Sequence, residues 1–183
     1  MSKNRALLLD RDGVINADTG YVGSVEAFSF LPGLFPFLRA ARDLGYRLAV
    51  LTNQAGVAHG YYFADDFYRL TDFMLAKLRE EDIEIELVLA CFEHDRGRVP
   101  ALARQSFWRK PRPGMVLEAI RRLNIDPARS AFLGNEVKDM QAAFNGGIRR
   151  RLLLTQERTS PLEGVDIVKN FGEALKILKE PSA

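Results

Sequence analysis

The sequence predicts an α/β fold: a Rossmann-like three-layer sandwich around a central parallel sheet, with no sizeable cap domain. Three observations lead there. Short continuous apolar runs, as expected of strands covered on both faces, alternate with stretches of helical periodicity. That alternation implies right-handed βαβ units and a parallel sheet. The runs also end in polar residues: Asp10 and Asp12 after the first, Thr52 after the second, Asn135 after the fourth. In open α/β sheets ligands bind beyond the carboxyl ends of the strands, so these endings mark one edge as the candidate site.

Each element has its own signal. Residues 6–9 are an apolar run that stops at Asp10. Residues 32–44 read as a helix, with Pro32 at its start and Gly45 as its stop. Residues 47–51 form the second strand. Phe63, Phe67, Leu70, Met74 and Leu78 recur at helical spacing and predict a long amphipathic helix over 63–81. Residues 86–90 form the third strand. From 92 to 113 periodicity dissolves into an Arg-rich connection, and connections of that length usually carry function. A helix follows at 115–123, then a strand at 130–133. The helix at 137–145 is stopped by Gly146 and Gly147. Strands at 151–154 and 166–168 and a last helix at 172–179 complete the pattern. Only about 18 residues separate Gly13 from Pro32, too few for a folded lid.

Composition narrows the function classes. The 183 residues fit one domain, 1–183, with a single sizeable core. Hydrophobic residues at 47% and charged residues at 27% are the usual globular balance. Twenty-six Lys and Arg against 24 Asp and Glu leave a net charge of +2, which argues against a nucleic-acid binder driven by bulk charge. The lone Cys91 excludes an intrachain disulfide framework. No apolar run approaches the roughly 20 residues that span a bilayer, and the start of the chain does not read as a signal peptide. The expectation is a cytoplasmic monomer. Motifs for nucleotide-binding loops, serine-hydrolase elbows and zinc proteases are missing, and two histidines leave little for a His-dependent triad.

Asp10-Arg-Asp12-Gly13 places two carboxylates two residues apart on a segment leaving its strand. One member of such a pair can act as nucleophile and the other as proton donor, because their surroundings can separate their pKa values. The competing reading is an Asx-rich turn capping the next element.

The wider motif set decides between them. Residues 10–16 (DRDGVIN), 20–22 (GYV), 52–58 (TNQAGVA), 109–115 (RKPRPGM) and Asp139-Met140 resemble, in order and on the right strand ends, the haloacid dehalogenase-like phosphohydrolases. Within them they are most similar to the branch of the D-glycero-D-manno-heptose 1,7-bisphosphate and histidinol-phosphate phosphatases. The resemblance runs from residue 6 to about residue 155. It implies that Asp10 attacks phosphorus and forms an aspartyl-phosphate. Asp12 then protonates the leaving oxygen and later deprotonates water. Thr52 and Asn53 bind phosphoryl oxygens, and Lys110 neutralises their charge. Asp10, the Asp12 carbonyl, Asn135 and Asp139 hold Mg²⁺, with Glu136 as a further candidate ligand. Gln54, Tyr21, His59 and Arg109 line the substrate site, with Arg109 on the second phosphate. The implied substrate is a sugar bisphosphate, a heptose 1,7-bisphosphate losing its C7 phosphate.

Three departures stand out. Asn135 replaces a Mg²⁺-binding carboxylate, so metal affinity should fall, although Glu136 could compensate or merely cap the helix at 137. A zinc loop common in this branch retains only Cys91; Glu93, Ser106 and Trp108 occupy the other ligand positions, and no structural zinc is expected. That loop must then be held by packing of Val99, Leu102, Phe107 and Trp108. His59 stands where the branch commonly has Arg; it either meets substrate or is a loop histidine, with Tyr61, Tyr62 and Phe63 expected to pack its loop down. Eight basic residues between Arg96 and Arg122 read as an electropositive mouth for an anionic substrate or as solvated side chains.

Histidinol phosphate and a DNA 3′-phosphate are alternative substrates of the same chemistry. A catalytically weakened scaffold binding a phospho-ligand or partner is the alternative of another class. Retention of both Asp10 and Asp12 speaks against it, because a binding module needs no such pair.

Overall fold

Leu7 and Leu9 point to one side of their strand and Ala6 and Leu8 to the other, and all four are fully buried. That alternation makes this strand, β1 (Arg5–Leu9), the spine of a sheet covered on both faces. The computed structural model describes residues 3–157 and 162–180; residues 1 and 2, which open the chain start weighed above, together with 158–161 and 181–183, lie outside it.

In chain order there follow α1 (Leu34–Asp43), β2 (Tyr46–Asn53), α2 (Ala55–His59), α3 (Ala64–Glu80), β3 (Leu87–Cys91), α4 (Gly114–Leu123), β4 (Ala131–Gly134), α5 (Val137–Asn145), β5 (Arg150–Leu154), β6 (Asp166–Val168) and α6 (Phe171–Lys179). The six strands form one parallel sheet in the order β3-β2-β1-β4-β5-β6. One face buries α1, α3 and α6 through Phe37, Leu38, Leu70, Met74, Phe171 and Leu178. The other buries α4 and α5 through Met115, Val116, Ala119, Met140 and Ala143. This is the expected three-layer sandwich without a sizeable cap. Among the described residues no helix is long and apolar enough to cross a membrane.

The strand order decides where the chemistry sits. β1 lies between β2 and β4, with Leu9 level with Val50 on one side and Leu133 on the other. Asp10, Thr52 and Gly134-Asn135 therefore leave adjacent strands at one edge.

The element bounds differ from expectation for local reasons. Gly33 takes a left-handed φ of 83° and caps α1, so the helix starts at Leu34 rather than Pro32. β2 runs on through Thr52 and Asn53 because these pair with Ala90 and Cys91 of β3. The five-residue α2 has no amphipathic repeat long enough to announce it, and Gly60 ends it at φ 74°.

Two packing expectations are corrected. Of Tyr61, Tyr62 and Phe63, only Tyr62 packs inward, against Gly23 and Gly56; Phe63 is 80% exposed and caps α3 with its backbone N–H on Asp66 (2.8 Å). In the long loop, Val99 and Leu102 are half-buried, but Phe107 and Trp108 are exposed. Hydrogen bonds rather than apolar packing hold this loop: Arg98 and Val99 N–H donate to Ala58 O (2.7 and 2.9 Å), and His94 N–H to Leu102 O (3.1 Å).

Leu8 sits in the central strand with no room for rearrangement around it. Leu8→Ala should lower unfolding stability by about 2–5 kcal/mol in urea titration, from lost transfer energy plus a cavity that cannot collapse.

Candidate active site

Lys110 arrives from the long loop with its side chain fully buried and three oxygens around its ammonium. Nζ lies 2.9 Å from Asp10 Oδ1 and 2.8 Å from Asp139 Oδ1, and donates to Leu51 O at 2.8 Å. Lys110 is anchored through its backbone too: Asn53 Nδ2 donates to Lys110 O, and Lys110 N–H to Asn53 Oδ1, both at 3.0 Å.

Two buried carboxylates share this one ammonium. Burial raises the Asp10 carboxyl to about 7; the Lys110 charge opposes the rise and the Asp139 charge adds to it. Burial pulls Lys110 down, but Asp10 and Asp139 together outweigh it and hold the amine above its ordinary pKa. Asp10 Oδ1 also accepts the Arg11 N–H (2.7 Å), while Oδ2 accepts no hydrogen bond and is the oxygen left to react. Asp139 Oδ2 accepts the Glu136 N–H at 3.0 Å, while Oδ1 is paired in charge with Lys110 but accepts no aligned hydrogen bond among the described residues. Its carboxylate packs on Gly134, where a Cβ would lie 2.4 Å from the Asp139 Cβ.

Asp12 is held by three side chains. Arg11, 1% exposed, brackets it through Nη2 at 2.9 and 3.0 Å, Asn16 Nδ2 donates at 3.0 Å and Gln54 Nε2 at 2.9 Å. Gln54 Nε2 also donates to Thr52 Oγ1 (2.8 Å), and Tyr62 O–H donates to Gln54 Oε1 (2.6 Å). Burial pushes the Tyr62 phenol up to about 12, so it remains the donor at neutral pH.

A cavity of about 250 Å³ opens over these groups, lined by Asp10, Asp12, Asp18, Gly20, Tyr21, Asn53, Gln54, Ala55, Tyr62, His94, Arg109, Glu136 and Lys138. Tyr21 stands at its rim in a left-handed conformation, φ 47°, with its ring 4.6 Å from Tyr61 and 5.8 Å from His59. Burial lowers the Arg109 pKa, yet a guanidinium stays charged at any working pH.

The structure thus brings together Asp10, Asp12, Asn53, Gln54, Tyr21, Arg109 and Glu136 around one cavity, with Thr52 and Lys110 buried beneath it. It reassigns others. Both polar atoms of the Asn53 side chain clasp the Lys110 backbone rather than facing a ligand. Asp139 supports Lys110 from behind the cavity and is not placed as a metal ligand. His59 lies outside the cavity lining, packed on Tyr21 and His94. The Glu136 carboxylate pairs with Lys138, and its backbone caps α5. Sequence reasoning gave no role in the site to Arg11, Asn16, Asp18 or Lys138, expected Tyr62 only to pack its loop, and met His94 only as a histidine beside the zinc-loop positions. Arg11 carried a signal, as a cation set between two acids just beyond the apolar end of β1.

The donor set fits a hard cation. The buried Asn135 Oδ1 has no hydrogen-bond partner, and such an acceptor calls for a donor or a cation. Asn135 lies against Gly13, where a Cβ would fall 2.1 Å from its Nδ2, and Gly13 also adopts φ 78°, so the loop after β1 needs glycine twice over. With Asp10 Oδ2 and the Asp12 carbonyl, the ligands the resemblance implies, Asn135 Oδ1 would give a set of oxygens with one side-chain carboxylate. Accordingly, no group of three His, Cys, Asp or Glu among the described residues is arranged to hold a metal.

The former zinc-loop positions do not form a tetrahedral thiolate site. The Cys91 thiol donates to Glu93 Oε2 (3.3 Å), Glu93 Oε1 accepts from Arg104 (3.1 Å), and Trp108 faces solvent. Burial raises the Cys91 thiol to about 11, keeping it protonated.

Over residues 3–147 the chain matches the haloacid dehalogenase-like hydrolases. It is 40% identical over 181 residues to the D-glycero-alpha-D-manno-heptose-1,7-bisphosphate 7-phosphatase of Burkholderia mallei, covering 98% of this chain and 96% of that one. It is 34% identical to the beta-anomer enzyme of Haemophilus influenzae, covering 97% and 100% of the two chains. Among solved structures, the D,D-heptose 1,7-bisphosphate phosphatase of B. bronchiseptica, complexed with magnesium and phosphate, superposes with a TM-score of 0.83 over 95% of this chain and 97% of that one, at 24% identity. That likeness establishes the fold.

Lys110→Met keeps the side chain's length and removes its charge, leaving Asp10 and Asp139 buried beside each other without a cation. Chemical denaturation should show a loss of about 3–5 kcal/mol.

Proposed function

The chain belongs to the haloacid dehalogenase-like hydrolases, and from that premise we propose that it is a Mg²⁺-dependent phosphatase removing the C7 phosphate of D-glycero-D-manno-heptose 1,7-bisphosphate. The observation that carries the reading is Asp10 itself. It has one oxygen pinned by Lys110 and a backbone N–H and the other unbonded, at the floor of a cavity that Arg109 also lines. The heptose-bisphosphate relatives at 34–40% identity over nearly the whole chain supply the substrate.

Asp10 Oδ2 attacks phosphorus, and the ester oxygen leaves with a proton from Asp12. The product is an aspartyl-phosphate on Asp10 and the free sugar hydroxyl. Water then attacks that phosphorus, giving its proton back to Asp12 and releasing inorganic phosphate and the Asp10 carboxylate. Arg11, Asn16 and Gln54 keep Asp12 in line for both transfers. Thr52 Oγ1 already accepts from Gln54, so its own proton is left to donate toward the phosphoryl group. Lys110 holds Asp10 and offers positive charge beside the developing oxyanions. Mg²⁺, held by Asp10, the Asp12 carbonyl and Asn135, would neutralise the phosphoryl oxygens and the excess negative charge on Asp10. Action as a single-domain cytoplasmic monomer is part of the same proposal.

Phosphate release with and without Mg²⁺ tests it, on both anomers of the heptose bisphosphate, fructose 1,6-bisphosphate, histidinol phosphate and a 3′-phosphorylated oligonucleotide. The expected result is Mg²⁺-dependent turnover of a heptose bisphosphate well above the rest, reduced roughly a thousandfold or more in Asp10→Asn. Folded protein silent on both heptose anomers at high Mg²⁺ would refute the assignment.

Asn135 brings an oxygen but no charge to the cation. Asn135→Asp should lower the Mg²⁺ concentration that half-saturates the shift in melting temperature by about tenfold, one charge–charge contact of about 1.4 kcal/mol. An unchanged titration would remove Asn135 from the ligand set.

A further inference from the structure

His94 lines the cavity that holds Asp10 and Asp12, on the loop segment that lies beside Arg109. Its two ring nitrogens do different work. Nδ1 accepts the backbone N–H of Arg96 at 3.0 Å, and a backbone amide held in a loop cannot turn away. Nδ1 therefore presents its lone pair, although Asp95 Oδ1 lies 3.1 Å from it, and the ring proton sits on Nε2. Among the described residues Nε2 makes no hydrogen bond, and it is not sealed from solvent. The ring is fixed in place: its own backbone N–H and C=O bond Leu102 and Gly97, and the His59 ring packs on it at 4.8 Å between centroids. Burial and the neighbouring Arg109 charge both hold its pKa below the ordinary value, so at pH 7 it is a neutral donor. Arg109 spends one nitrogen, Nη1, on Glu93 O at 3.4 Å, which leaves the rest of the guanidinium for a ligand.

We propose that His94 is a specificity-determining residue: its Nε2–H, with the Arg109 guanidinium, binds the second phosphate of a bisphosphate substrate, the one that stays on the product. A neutral donor beside a guanidinium adds a directed hydrogen bond to an anion without adding charge repulsion between the two side chains. The pair selects for substrates with two anionic groups over those with one. This inference rests on the phosphatase reading of the same site and adds to it a residue beside the zinc-loop positions.

Two amide substitutions separate ligand binding from loop support. An Asn at 94 places an amide near the Nδ1 position and can keep the loop contact to Arg96, but it has no group at the Nε2 position. A Gln places its amide N–H near Nε2. The measurement is calorimetric titration of heptose 1,7-bisphosphate and heptose 7-phosphate, with Mg²⁺, into Asp10→Asn protein, which does not consume them. Adding His94→Asn should weaken bisphosphate binding about tenfold, the worth of one hydrogen bond to a charged group, and cut the preference for bisphosphate over monophosphate by the same factor. His94→Gln should restore binding to within about threefold. Three results would overturn the proposal: His94→Asn binding like its parent, both variants weakened equally, or loss of the bisphosphate preference in neither. Turnover by the unmodified chain keeps the two readings apart. Activity on the heptose bisphosphate alongside any of those results sinks only the role of His94. A chain that neither binds nor turns over the sugar sinks both.

Discussion

The ammonium of Lys110 joins four separate stretches of chain at one point: Asp10 beyond β1, the Leu51 carbonyl in β2, Asp139 in the first turn of α5, and the long loop that carries Lys110 itself. A buried lysine is costly unless it is paired, and here two carboxylates and a carbonyl surround its ammonium. Meeting them requires the loop to return over the sheet edge, and the Asn53 clasp on the Lys110 backbone fixes where it lands. Arg109 precedes Lys110 directly, so it reaches the cavity because the ammonium is anchored. The uneven count, two carboxylates to one ammonium, leaves negative charge that falls on Asp10, the member nearer the cavity. A reactive carboxylate and a demand for a cation are thus two consequences of one arrangement.

Much of this was legible in the sequence because strand ends are. β1, β2 and β4 each announce themselves by apolar runs, and a parallel sheet must gather their ends at one edge, so Asp10, Asp12, Thr52 and Asn135 could be placed together without coordinates. What stayed hidden depends on which atoms of a side chain are already spent. Asn53 and Asp139 fit a pattern of ligand-facing residues, yet their polar atoms are consumed by Lys110 and by the Glu136 amide. Arg11 reads as a surface arginine until the Asp12 carboxylate and the Val22 carbonyl are found around it, the latter at 2.7 Å from Nη2. The exposure of Phe107 and Trp108 was misjudged for a related reason. Apolar side chains in an irregular loop suggest packing, but a loop with its backbone groups satisfied by Ala58, Leu102 and Asn53 does not need it.

The same loop carries other contacts at the positions where the resemblance implies zinc ligands. Cys91, Glu93 and Arg104 form a short chain of hydrogen bonds across the base of the loop, where four thiolate or imidazole ligands would otherwise converge. Such bonds are individually worth about 1 kcal/mol or less at an exposed position such as Arg104, far below a bound zinc ion. The stiffness must come from elsewhere, and the Lys110 anchor and the Asn53 clasp supply it at the loop's other end.

With no sizeable cap among the described residues, selectivity has to be built at the rim. Three segments line it: Tyr21 from the loop after β1, Glu136 and Lys138 from the start of α5, and His94 with Arg109 from the long loop. They differ in kind. Tyr21 is held in a left-handed backbone conformation, which costs about 1–3 kcal/mol and persists only where its surroundings over-determine it; the Tyr61 and His59 rings against it do so. Glu136 and Lys138 neutralise each other and leave little net field. Among the described residues, that leaves Arg109 of the long loop as the cation of the cavity lining not paired with a carboxylate. A substrate with one phosphate over Asp10 and an anionic group at its far end can also use the Arg109 guanidinium, and a singly phosphorylated sugar cannot.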